Sequence, residues 1–125
     1  SKVRESSVDG VDVLCCNAGI MLQPDEASRD GYDITISTNV LSHFLLTKEL
    51  MPALKKAAAL RREARIVVHS SLSGFGPPAF DPKFFAQKGG DLGGQAASYE
   101  RYHQSKLANL IFVSALTDKL KAGHS

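Results

Sequence analysis

Apolar residues along the chain gather into two short runs and two long stretches with helical spacing. The short runs are Val11-Asp12-Val13-Leu14-Cys15-Cys16 and Ile66-Val67-Val68, the second flanked by Arg65 and His69. Brief apolar runs bounded by turn formers read as strands buried in a parallel sheet, which predicts strands at about 11–15 and 65–69. Between them Ile34, Thr38, Leu41, Leu45 and the stretch from Thr47 to Leu50 recur at helical spacing. They predict a helix from near Ser28 or Asp30 to about Leu60, with Asp30 and Asp33 suited to its positive end. Pro52 removes one backbone donor inside that stretch and should kink or divide it. A last helix is predicted from Tyr99 or Glu100 to Leu120, stopped before Gly123. Its apolar side chains (Leu107, Leu110, Ile111, Phe112, Val113, Leu116, Leu120) run nearly all round, which predicts burial on two sides.

Residues 72–98 differ in kind. Gly74, Gly76, Pro77, Pro78, Pro82, Gly89, Gly90, Gly93 and Gly94 break any sustained period. A loop this long inside a compact domain is usually functional or disordered. Phe75, Phe80, Phe84 and Phe85 give it work beyond linking. Covering a lipophilic substrate and packing on another surface both fit.

Composition narrows the class. The 125 residues make at most one domain, with 43% hydrophobic and 22% charged residues as in soluble globular proteins. A net charge of +2 with dispersed basic residues argues against nucleic acid and anionic membranes as partners. Lys55-Lys56 and Arg61-Arg62 suit the C-terminal end of a helix. No apolar run approaches the roughly 18 residues of a membrane span, and no signal peptide is visible. Adjacent Cys15 and Cys16 point to opposite faces of a strand, cannot form an ordinary disulfide, and read as buried thiols of a reducing, cytoplasmic compartment. Any membrane anchor would lie outside this segment. His43, His69, His103 and His124 are scattered, so no metal site is expected.

The densest chemistry lies in Tyr102-His103-Gln104-Ser105-Lys106. Four positions make one helical turn, so Tyr102 and Lys106 share a face with Cβ atoms roughly 5–6 Å apart. A free phenol ionises near pH ~10, and an ammonium close by favours the phenolate. The pair therefore suits a tyrosine that exchanges a proton at carbonyl chemistry. Serines at the end of the 65–69 strand stand where open α/β sheets bind ligands.

Strand, Asn17-Ala18-Gly19, a helix containing Thr38-Asn39-Val40, strand, Ser70-Ser71, then a helix with Tyr102 and Lys106: this ordered series resembles the short-chain dehydrogenase/reductase family, over about residues 11–120. Asp30-Gly31-Tyr32, the run from Thr38 to Thr47, and Ser105-Lys106-Leu107-Ala108-Asn109 are similar to its retinol-dehydrogenase-like and WW-domain-oxidoreductase-like branch. So is the long insertion between Ser71 and Tyr102. The fold implied is α/β, the second half of a Rossmann-type doubly wound parallel sheet with two long helices. Residues 1–125 would be an incomplete NAD(P)-binding domain, with 72–98 as its inserted loop.

The resemblance implies an oxidoreductase moving hydride between NAD or NADP and a small-molecule alcohol/carbonyl pair, of lipophilic character in this branch. Tyr102 would be the acid/base, and Lys106 would lower its pKa and bond the nicotinamide ribose. Ser71 would hold the substrate oxygen, chosen over Ser70 because it precedes Gly74 by the family's serine-x-x-glycine spacing. Asn39 would complete the group by holding a water that links Lys106 to solvent; an Asn bonded to the helix backbone is the plain alternative. Asn17, Ala18 and Gly19 would line the adenosine side, with Cys16 standing where the family usually has a further asparagine. Tyr99, with His103 four residues on, lacks a permanent cation, and Ser28, Ser105 and Asn109 read as capping or packing residues. Because the two long helices commonly pair between subunits in that family, the resemblance also implies a homo-oligomer, a dimer. The glycine-rich turn that receives the pyrophosphate is absent from these residues, so the chain looks like an internal fragment, inactive alone. The competing class is a non-catalytic module that binds partners through the two apolar helices.

Overall fold

The computed structural model of the chain describes residues 2–6 and 8–123. His124 lies outside the described residues. The chain falls into two compact units, one of residues Ser1–Asn17 and Ser42–His69, the other of Ala18–Leu41 and Ser70–Ser125.

The first unit is a parallel strand pair under a helix. It begins with the short helix α1 (Lys2–Ser6), then β1 (Val13–Cys16), α3 (Ser42–Arg61) and β2 (Arg65–Val68). Leu14 faces Ile66 and Cys16 faces Val68 in the register. Alternation puts these residues on one face, against Leu50 and Leu54 of α3. Along α3 the buried positions are His43, Thr47, Leu50, Leu54 and Ala57, a stripe at helical spacing. Gly10 lets the chain reach that helix closely, because a Cβ there would stand 2.5 Å from the Ala53 carbonyl oxygen. Lys56 and Arg61 tie α3 back to the turn before β1, through the Val8 and Asp9 carbonyls and the Asp12 carboxylate.

Several expectations change here. The strands run 13–16 and 65–68, so each is offset or shortened by a residue or two. They are covered on one face only: Val13 and Val67 are half exposed and Cys15 is exposed, while Cys16 is buried. Leu45 points outward, because His43 and Thr47 hold the inward positions on either side of it. α3 is not divided at Pro52, which lies on its exposed side, where water can serve a carbonyl that proline cannot.

The second unit is built on the long helix α4 (Ser98–Lys121). Its other parts are α2 (Ile34–Ile36), a π turn (Ser37–Leu41), and three 3₁₀ turns at Leu72–Phe75, Pro82–Phe85 and Gln95–Ala97. Helix does not begin at Ser28 or Asp30. Backbone bonds from Gly31 to Ser28 and from Ser28 to Tyr32 close a turn there, with Gly31 at a positive φ of 89°. Asp33 caps α2 instead, its carboxylate accepting from the Ile36 N–H at 3.0 Å. In the 72–98 loop Phe84 is fully buried against Ile36 and Leu92, so this aromatic fills the unit's own core. Phe75 stays 74% exposed. α4 is buried along its first half only: Ile111, Val113 and Leu120 are exposed among the described residues, and the inward positions before them are mostly polar. No helix among the described residues is long and apolar enough to cross a membrane.

Candidate active site

The first half of α4 presents Tyr102 and Lys106 one turn apart. Lys106 Nζ stands 5.7 Å from the centre of the Tyr102 ring. Lys106 is only 5% exposed, and burial pushes its pKa below the ordinary lysine value. Between them Gln104 and Ser105 are buried too. Gln104 uses both ends of its amide on the 72–98 loop, donating to the Ala79 carbonyl at 2.9 Å and accepting from the Asp81 N–H at 3.0 Å. Ser105 accepts from Asn39 Nδ2 at 3.0 Å and donates to the Tyr102 carbonyl at 2.7 Å.

Asn39 lies in the π turn and is fully buried. Its Oδ1 accepts from the Ile20 N–H at 2.8 Å, and its Nδ2 donates to the Ile20 carbonyl at 2.9 Å. A π turn breaks the i to i+4 ladder and releases carbonyls; the Asn39 carbonyl accepts from Asn109 Nδ2 at 3.1 Å. The amide thus joins the Gly19–Ile20 segment to Ser105 of α4. Gly19 lies beside both groups: a Cβ built on it would stand 3.5 Å from Lys106 Nζ and 3.6 Å from Asn39 Oδ1. Glycine leaves that space open. Ala18, next to it, is exposed.

The two serines divide their work. Ser70 donates to the Lys106 carbonyl at 2.9 Å, so its hydroxyl proton is taken by the α4 backbone. Ser71 accepts from the Ser73 N–H at 3.2 Å and caps the Leu72–Phe75 turn, which keeps its own O–H proton for another acceptor. Gly74 explains the serine-glycine spacing physically. A Cβ there would stand 2.9 Å from Leu110 Cδ1 and 3.1 Å from the Lys106 carbonyl oxygen, so glycine lets this turn lie against α4 without displacing it. Asn17 belongs to the first unit, where it meets His69 Nδ1 at 2.7 Å. Tyr99 stacks edge-on with His103, ring centres 5.0 Å apart. Ser28 accepts from Ser37 Oγ, and with Ser105 and Asn109 it serves packing and positioning.

One group escaped the sequence reading. Arg101, directly before Tyr102, is fully buried. Its Nη1 donates to the carbonyls of Leu92 (3.0 Å) and Gly94 (2.7 Å), and its Nη2 to that of Gln23 (3.1 Å). Nε lies 3.2 Å from Asp33 Oδ1, close enough for charge attraction but without hydrogen-bond alignment. Asp25 Oδ2 is 3.9 Å from Nη1 and accepts from the N–H groups of Leu92 and Gly94. Burial alone would raise the Asp25 pKa, but those two N–H groups and Arg101 outweigh it and hold the carboxyl below its ordinary range. Burial dominates at Asp33 and raises its pKa, against the Ile36 N–H and Arg101. The only signal in the sequence was three charged residues in segments that carry the site motifs.

A family model described as short chain dehydrogenase matches residues 1–117. The chain is 37% identical to polyprenol dehydrogenase of Danio rerio, over 86% of this chain and 32% of that protein. It is 37% identical to retinol dehydrogenase 14 of Homo sapiens, over 89% of this chain and 30% of that protein. A crystal structure of an uncharacterized protein from Mycobacterium paratuberculosis superposes with a TM-score of 0.70 at 34% identity, covering 98% of this chain and 42% of that one. The chain therefore spans about a third of the length of the curated relatives it matches.

Proposed function

The chain belongs to the short chain dehydrogenase family, and from that membership we propose that it carries the acid/base part of a site interconverting an alcohol and a carbonyl. Tyr102 exchanges a proton between its phenol and the substrate oxygen. Lys106, held in a water-poor setting beside the ring, stabilises negative charge as it develops on the reacting oxygens. Ser71 donates its remaining hydroxyl proton to the same substrate oxygen. Asn39 holds the Gly19–Ile20 segment and Ser105 in place, and a water between it and Lys106 would pass protons to solvent. The observation that carries this reading is the buried Lys106 ammonium over Tyr102, with the bare Gly19 beside it.

Those residues also fit the nicotinamide end of NAD or NADP. Gly19 leaves room for a ring or ribose, and Lys106 supplies a donor for ribose hydroxyls at that spot. Such a dinucleotide supplies or accepts the hydride when bound. Asn17 and Ala18 extend the same segment and would meet its nucleoside side.

Substrate class follows more loosely. Two of the relatives are named for polyprenol and retinol. Leu72 and Phe75 stand 87% and 74% exposed on the turn that Ser71 caps, and they would suit an apolar chain attached to the reacting carbon. The test is Tyr102→Phe in the enzyme that carries these residues. Turnover of a lipophilic alcohol should fall by roughly 10²–10⁴-fold while the cofactor still binds. Turnover close to that of the parent enzyme would remove the acid/base assignment and favour a partner-binding module.

A further inference from the structure

The helix that carries Tyr102 and Lys106 starts without help from a capping side chain. Its N-cap residue is Ala97, which makes no cap hydrogen bond. The 3₁₀ turn Gln95–Ala97 runs straight into the helix, with the Ser98 N–H donating to the Gln95 carbonyl, so the start of α4 depends on where that approach is held. Here the first turn contains one fully buried cation, Arg101, and each branch of its guanidinium holds a different segment.

Nη1 binds Leu92 and Gly94, the approach to α4; Nη2 binds Gln23, three residues past Ile20; Nε faces Asp33, the cap of α2, which runs into the π turn of Asn39. Asp25 accepts from the N–H groups of the same Leu92 and Gly94, so the approach is held by a cation through its carbonyls and by an anion through its N–H groups. The three segments so joined are those that supply Gly19, Asn39 and the Tyr102–Lys106 pair. A forked, planar guanidinium can serve three carbonyls and a carboxylate together, whereas an ammonium is a point charge with fewer reachable partners. Burying it is costly, and its three carbonyl bonds, with the Asp33 charge beside Nε, define one arrangement of those segments.

We propose that Arg101 is the positioning residue of this site, setting where Tyr102 and Lys106 stand relative to Asn39 and Gly19. The proposal rests on the acid/base reading of Tyr102 given above. It acts through its neighbours and touches no reacting atom. Misplacing a reacting group by about 1 Å can cost on the order of 10²-fold in rate.

The test compares Arg101→Lys, which keeps a cation between Asp25 and Asp33, with Tyr102→Phe, in the enzyme that carries this chain. Rates are counted per cofactor-binding site, so unfolded molecules drop out of the comparison. For Arg101→Lys, kcat should fall by about 10–100-fold while cofactor affinity stays within roughly threefold of the parent enzyme. Unchanged kcat in Arg101→Lys would overturn the proposal, since a cation of any shape would then suffice. Loss of all cofactor binding in that variant would overturn it too, because Arg101 would then serve the fold at large. Tyr102→Phe separates the two claims. If it retains turnover, the acid/base reading fails whatever Arg101 does; if it is inactive and Arg101→Lys is not, only the positioning claim falls.

Discussion

The two units of this chain are held together by opposite means. In the strand-and-helix unit, Leu14, Cys16, Leu50 and Leu54 meet as apolar surface, with Thr47 and His43 the buried polar residues of α3 and the charged ties of Lys56 and Arg61 at the margin. In the α4 unit Ile36, Phe84 and Leu92 form a small apolar cluster, but most of the buried residues are polar or charged, Arg101, Asn39, Asn109, Asp33, Lys106 and Ser105 among them. Apolar burial is non-directional and tolerates small shifts. A buried polar network works only when every partner is in place. The first kind of core stabilises a scaffold; the second fixes side chains at defined positions, as a site requires.

That difference predicts how each unit breaks. The largest effect on stability should come from Arg101→Ala, which leaves Asp25 and Asp33 buried without their cation and should cost about 3–5 kcal/mol. Leu54→Ala in the other unit should cost about 2–4 kcal/mol from lost burial and the cavity left behind. Chemical denaturation of both variants checks the order. If Arg101→Ala proved the milder of the two, the polar unit would not depend on its charges as described.

A pH series sharpens the contrast. Because burial raises the Asp33 pKa, the stability linked to this group is present below the ordinary carboxylate value and is lost as pH rises through the raised one. An amide in place of that carboxyl carries no such proton while keeping an oxygen for the Ile36 N–H. The Asp33→Asn variant should therefore gain stability on the unmodified protein across that window. Parallel curves in thermal melts from acid to neutral pH would count against the raised carboxyl.

The smallest stability effect is expected at Lys106→Met. Burial disfavours the ammonium, so the stability linked to Lys106 is recovered as pH rises from its lowered pKa toward the ordinary lysine value. Methionine retains much of the stem without the charge, and its stability should lie within about 1 kcal/mol of the parent, on the stabilising side. Cofactor affinity should nevertheless fall, as a fluorescence titration with NADH and NADPH would show. A large loss of stability with affinity retained would make Lys106 a structural residue.

The same contrast explains what could be read from the chain. Strands near Val13–Cys16 and Arg65–Val68 and a helix through Thr47 and Leu50 were legible because apolar spacing is written locally, whereas Leu45, expected on the apolar face, points outward. The Tyr102–Lys106 pair was legible because one helical turn fixes it. Arg101 was not, because its partner Gln23 lies 78 positions away and nothing local marks a buried arginine. Asn39 was found by its motif, but its bonds to Ile20 and Ser105 depend on where two other segments arrive. The helix start was misplaced because a turn closed by Gly31 competes with helix at Ser28 and Asp30. The serine-x-x-glycine spacing chose Ser71 over Ser70, but the bond that occupies the Ser70 hydroxyl, to the Lys106 carbonyl, depends on how the Gly74 turn meets α4.

The most direct measurement of the central claim is a crystal structure of the enzyme that carries this chain, with NAD or NADP and a non-reacting alcohol bound. The account predicts Ser71 Oγ and the Tyr102 hydroxyl both about 2.6–3.2 Å from one substrate oxygen, with Lys106 Nζ on the nicotinamide ribose beside Gly19. A substrate oxygen held by Ser70, or a cofactor lying away from Gly19 and Lys106, would contradict it.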